Sequence, residues 1–148
     1  MGVMVAWWGG RDLRPMLPRV FFEHFRSTSL VVEHEDELIG FLVGFPCADH
    51  ADEAYVHFAG VHPAWRRVGL AGDLYRRFFA LARAAGRPVV RAVTAPANQA
   101  SIAFHTALGF VMLPGDDEVD GMPVSLDRGP QGDYVVRFEL SLIKEDHA

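Results

Sequence analysis

Val61-His62-Pro63-Ala64-Trp65-Arg66-Arg67-Val68-Gly69-Leu70-Ala71-Gly72-Asp73-Leu74-Tyr75 joins a run with strand periodicity to a run with helix periodicity. Ahead of it, Ala54 to Val61 alternates, which predicts a strand with Tyr55, His57, Ala59 and Val61 on one face and Val56, Phe58 and Gly60 on the other. Pro63 stops that strand. Behind it, Leu70, Leu74, Phe78, Leu81 and Ala85 recur at spacings of three and four, giving one apolar stripe on a helix that ends near Gly86-Arg87-Pro88. Between the two lie Arg66, Arg67, Gly69 and Gly72. The amides of a helix start carry partial positive charge, and glycine lets a phosphate approach without meeting a Cβ. The turn therefore reads as a cradle for a pyrophosphate, with two arginines to add charge-assisted bonds.

Working outward, Ser29 to Glu33 and Leu38 to Phe45 are apolar runs on either side of His34-Glu35-Asp36-Glu37, the pattern of a β-hairpin. Leu13 to Arg26 is helical in pattern, but Pro15 and Pro18 break its first turn, so two short pieces are expected. Pro46 to Asp52 reads as a loop and Val89 to Val93 as a short strand. Asn98 to Leu108 predicts a helix, with Asn98 as N-cap and Gly109 as the left-handed residue after its end. Phe110 to Leu113 starts another strand. Pro114 to Gly132 is rich in glycine, proline and acidic residues and reads as a long loop with a little strand near Val124. Tyr134 to Leu142 alternates as a half-buried final strand.

Two blocks in this layout resemble the GNAT superfamily of N-acyltransferases. Arg66-x-x-Gly69-x-Ala71, entered through Val61-x-Pro63, is similar to that family's acyl-CoA pyrophosphate loop. Asn98-x-x-Ser101-x-x-Phe104-His105-x-x-Leu108-Gly109-Phe110 is similar to its next block, in the right order. The resemblance covers about residues 20 to 142. It implies an α/β fold: a mixed sheet with helices on both faces and a splayed parallel strand pair, here Tyr55 to His62 and Val89 to Val93.

Acetyl-CoA is then the implied co-substrate. Its pyrophosphate would sit on Arg66, Arg67, Val68, Gly69, Leu70, Ala71 and Gly72, and its arm would pair with the backbone near Val61 and with Asn98 and Ser101. His57 stands where the family often places a glutamate or an ordered water, and an imidazole there has a suitable pKa for a base. His105 stands where the family usually carries a tyrosine, the implied proton donor to the departing sulfur. Other readings stay open beside these. His57 reads equally as a core histidine with a backbone partner, Asn98 and Ser101 as helix capping, and His105 as a passive contact to the cofactor. Glu53 and Glu23 are weaker bases, and Tyr75 is a weaker acid.

At 148 residues the chain is expected to be one domain, residues 1–148, able to bury roughly 68–70% of its unfolded surface. Cys47 is the single cysteine, so no disulfide can form within the chain, no apolar run approaches the roughly 20 residues that span a bilayer, and Val3 to Trp8 lacks a basic leader. A cytoplasmic location with no membrane partner is expected. The formal charge of −5 argues against sequence-independent nucleic-acid binding. His57 and His62 have no third ligand or nearby cysteine, so no metal is expected.

The functional expectation is transfer of an acetyl group to a primary amine of a small molecule or peptide. Trp7, Trp8, Phe21, Phe25 and the loop after Leu113 would shape the acceptor pocket, and the acidic stretches lean towards a cationic acceptor. The resembled family is frequently dimeric, so a homodimer is the implied assembly. The competing reading is a module that keeps the acyl-CoA cradle without catalysis, as a sensor or a partner subunit.

Overall fold

The computed structural model describes residues 18–127 and 133–143. The chain divides at Arg87/Pro88 into two compact units. The first piece expected of the opening helix, with Trp7 and Trp8, lies outside the described residues.

In the first unit a short helix α1 (Val20–His24) precedes strands β1 (Leu30–His34), β2 (Glu37–Pro46) and β3 (Glu53–Val61), a 3-10 turn (Pro63–Trp65) and helix α2 (Leu70–Ala84). The β1–β2 connection is two residues long, with Glu35 at φ 47° and Asp36 at φ 65°. Both central residues are left-handed, as a type I′ turn requires, so the hairpin forms without the usual Asn-Gly. β2 pairs antiparallel with β3, and one guanidinium closes their loop: Arg87 Nη1 donates to the carbonyls of Cys47 and His50, both at 2.8 Å.

β2 splits its side chains between two layers. Gly40 and Gly44 face α2, where Leu70, Leu74 and Phe78 approach them; Phe41 and Val43 face the other way, where Phe21, Leu38 and Phe58 pack. Gly44 is required by that approach, because a Cβ there would stand 2.3 Å from Phe78 Cε2. The buried surface of α2 is Leu74, Tyr75, Phe78, Phe79 and Ala82. It is wider than the predicted stripe, and Ala85 lies outside it, exposed after the helix ends. Tyr75 is 4% exposed and burial pushes its phenol well above the usual range, so it packs rather than titrates.

The second unit contains β4 (Val89–Thr94), helix α3 (Gln99–Ala107), β5 (Val111–Met112), β6 (Asp117–Val119), β7 (Met122–Leu126) and β8 (Tyr134–Ser141). β8 organises it, pairing antiparallel with β4, β5 and β7. Val90, Ala92, Val136 and Phe138 are buried, and Phe138 meets the rings of His105 and Phe110. The reading of 114–132 as mostly loop needs correction: β6 and β7 form a hairpin across Asp120 (φ 50°) and Gly121 (φ 78°). Asp-Gly satisfies the same two-residue turn geometry. Asn98 and Gly109 behave as expected, the first accepting Ser101 N–H at 3.1 Å and the second sitting at φ 97°. The mixed α/β class anticipated from the sequence is the one observed.

Candidate active site

The turn between β3 and α2 is built by local hydrogen bonds. His62 N–H donates to Ile39 O (2.8 Å), its Nδ1 accepts from Ala64 N–H (3.0 Å), and Trp65 N–H returns to His62 O (2.8 Å). The Trp65 ring packs on His34 of the β1–β2 hairpin at 4.8 Å. Arg66 Nε donates to Val61 O at 3.2 Å, which ties the loop to the end of β3. Of the two cradle arginines, Arg66 is therefore partly engaged in holding its own loop, while both remain solvent-exposed.

Arg67 at φ 64° and Gly69 at φ 85° turn the chain into α2. Gly69 is the N-cap, and no side chain caps the helix. The first bond of helical spacing is Asp73 N–H to Gly69 O (3.0 Å), so the amides of Leu70, Ala71 and Gly72 are those that every helix start leaves without an intrahelical acceptor. A Cβ built on Gly69 meets nothing within 4 Å, so the turn is open at that residue. These features fit a diphosphate: donors, partial positive charge and open space at Gly69. Arg76, which the sequence reading missed, adds a third cation. Its guanidinium lies 3.2 Å from a Cβ built on Gly72 and is paired with Asp73 Oδ1 at 2.7 Å. The available signal was its spacing, one helical turn beyond Gly72 on the same face.

His57 sits at an irregularity. Val43 pairs with Phe58 and Gly44 with Val56, so the register shifts at His57, the extra residue on β3. This β-bulge breaks strict alternation: Ala59 and Val61 pair with Leu42 and Gly40 on the α2 side, whereas Tyr55 and Phe58 pair with Phe45 and Val43 on the other. The predicted row of Tyr55, His57, Ala59 and Val61 is thus divided. His57 remains on the side of Tyr55, its ring stacked on Phe21 at 4.5 Å and 23°. Phe21 continues into Phe25 (5.8 Å) and Phe45 (6.0 Å), and Phe45 into Tyr55 (5.5 Å).

In the second unit, His105 is 5% exposed and stacked on Phe138 (5.1 Å, 14°), with Phe104 and Phe110 at its edges. Its Nδ1 lies 2.7 Å from Ser101 O, and since a carbonyl only accepts, Nδ1 carries the proton. Ser101 Oγ is 3.2 Å from the same nitrogen. Burial lowers the His105 pKa, with the Ser101 hydrogen bond opposing, so the imidazole is neutral at pH 7. Asn98 Oδ1 and Ser101 Oγ are thus engaged inside their own helix. Among the described residues, no group of three or more His, Cys, Asp or Glu is placed to hold a metal ion, and no helix is long and apolar enough to cross a membrane.

A sequence model described as the acetyltransferase (GNAT) family matches residues 4–110. The chain belongs to the GNAT family. Among curated proteins, L-2,4-diaminobutyric acid acetyltransferase of Vibrio cholerae is 30% identical over 78 residues, 53% of this chain and 45% of that protein. The chain thus matches about half the length of that GNAT relative. Among solved structures, Ard1 from Thermoplasma volcanium superposes with a TM-score of 0.73 at 17% identity, covering 96% of this chain and 87% of the other. yncA from Salmonella typhimurium, solved with acetyl-CoA, gives 0.63 at 23% identity, covering 94% and 80%. These structures establish the GNAT fold for this chain.

Proposed function

We propose that this chain is an acetyl-CoA-dependent N-acetyltransferase that acetylates a primary amine by direct attack, with His57 as the general base. The observation that carries the reading is the uncapped, basic start of α2 at the end of the strand that carries His57. Acetyl-CoA supplies the activated acyl carbon and a thiolate leaving group. The main-chain amides of Leu70 to Gly72, with Arg66, Arg67 and Arg76 around them, hold the diphosphate, and the backbone near Val61 meets the arm. Arg66 keeps the loop against Val61, so the anion site stays in fixed relation to β3.

An alkylammonium acceptor of pKa about 10.4 must lose a proton before its nitrogen can attack, which at pH 7 costs roughly 4–5 kcal/mol. His57 accepts that proton, the neutral nitrogen bonds to the acyl carbon as the C–S bond breaks, the second proton that the nitrogen sheds in becoming an amide leaves to solvent, and the thiolate takes one back from solvent. The acid role expected of His105 does not enter this reading. Its proton is on Nδ1 and directed at Ser101 O, and burial disfavours the second one that donation from Nε2 would need.

For the acceptor, the name of the Vibrio cholerae relative points to a small diamino acid, in line with the acidic stretches of this chain. The test is release of free thiol from acetyl-CoA across a panel of 2,4-diaminobutyrate, lysine, polyamines and peptide N-termini. Turnover with at least one acceptor is expected. His57→Ala should lower kcat by about 100-fold or more, the lower end of the range that one acid–base group contributes being about 100-fold, with acetyl-CoA affinity retained. Absence of any CoA affinity would end the proposal, and affinity without turnover would leave the binding module.

A further inference from the structure

His57 is the extra residue of the bulge in β3, between Phe58 opposite Val43 and Val56 opposite Gly44. Its ring lies face to face with Phe21, at 4.5 Å between centroids and 23° between planes. Phe21 is itself well supported. It packs against the buried pair Phe41 and Val43, and its ring is 5.8 Å from Phe25 and 6.0 Å from Phe45, the latter nearly parallel at 15°. It comes from α1, a separate element, so the imidazole has a ring contact from outside its own strand.

We infer that Phe21 is a positioning residue for the reaction, holding the His57 imidazole at the angle from which it takes the acceptor's proton. The inference rests on the assignment of His57 as base. Aromatic stacking constrains a ring to one plane and leaves rotation within it, which is the constraint a base needs when a hydrogen bond must form at one ring edge. A small misplacement of such a group is expensive, because a shift of about 1 Å can lower a rate by about a hundredfold. In this account Phe21 acts through the imidazole on which it stacks, in place of the part in the acceptor pocket expected of it from the sequence.

The test is a double-mutant cycle on the full chain with Phe21→Leu, Phe21→Tyr and His57→Ala, reading kcat, KM for acetyl-CoA and thermal midpoint. Leucine keeps apolar volume and removes the flat face, so Phe21→Leu should lower kcat by about tenfold or more with KM for acetyl-CoA within about twofold. Phe21→Tyr keeps the face and should restore most of the rate. In the His57→Ala background, adding Phe21→Leu should change the residual rate by less than about twofold, since a residue acting through another has nothing left to act on. Loss of the same factor in both backgrounds would overturn the inference, as would equal impairment by leucine and tyrosine. If His57→Ala alone lost its rate while Phe21→Leu kept the parent kcat, the positioning role would fall and the base assignment would stand. A His57→Ala variant with parent kcat would remove the base assignment and the inference with it.

Discussion

Gly69 shows how one residue separates folding from binding. Its φ of 85° is unfavourable for any other side chain, yet a Cβ there would meet no neighbour. Gly69→Glu should therefore cost about 1–3 kcal/mol of backbone strain. It should also place a carboxylate where the diphosphate is proposed to sit, and acetyl-CoA affinity measured by calorimetry should fall by orders of magnitude. Gly69→Ala carries the same strain without the charge and should keep most of the affinity; unchanged binding by Gly69→Glu would put the pyrophosphate elsewhere.

At His105 the readable quantity is stability against pH. Its folded pKa is lowered, so below about pH 6.5 the unfolded chain binds a proton that the folded one resists. Its contribution is fully present above pH 6.5 and is lost as pH falls from there towards the folded value. Thermal midpoints taken from pH 8 to pH 5 should drop more steeply for the parent than for His105→Phe, and equal slopes would refute the assignment. Asn98 and Gly109 were legible in the sequence because capping is local chemistry. The surroundings of His105 were not, since Phe138 reaches it from a strand about thirty positions away.

Strands and helices carry the next set of expectations. Gly44→Ala would place a methyl 2.3 Å from a ring carbon of Phe78, itself 1% exposed, and 3.0 Å from Tyr55 O. Overpacking of this kind costs about 1–3 kcal/mol, and each kcal/mol lowers the midpoint of a chain this size by about 2–4 °C. A Gly44→Ala protein as stable as its parent would show that α2 and β2 separate at little cost. The period-two and period-3.6 patterns were enough to find β2, β3 and α2. They misassigned part of β3 because alternation assumes an unbroken register, and a bulge is written in no local pattern. The β6–β7 hairpin was missed although Asp120-Gly121 announced it, because surrounding acidic, glycine and proline residues gave the segment the composition of a loop.

For the whole molecule, the order of the two blocks was legible and indicated the family, since each block does local work: a cradle in one, a capped helix in the other. The acceptor was not legible, because neither block carries a residue pattern specific to one amine. The expectation of one cooperative domain has a direct check. Trp7, Trp8 and Trp65 all precede Arg87, so tryptophan fluorescence follows the first unit alone, whereas far-UV circular dichroism follows both. Coincident transitions are expected on heating, and acetyl-CoA at about 100 times its Kd should add about 2.7 kcal/mol. Two separated transitions would show that residues 88–148 unfold on their own.

The bulge also bears on how relatives are aligned. β3 spends one more residue than β2 between the Val43–Phe58 and Gly44–Val56 pairs. A homologue whose strand is regular would, in an ungapped comparison anchored at Tyr55, set the counterpart of Phe58 in the column of His57. A search for the proposed base by column would then inspect the wrong side chain, and the offset vanishes only when columns are matched by ladder partner.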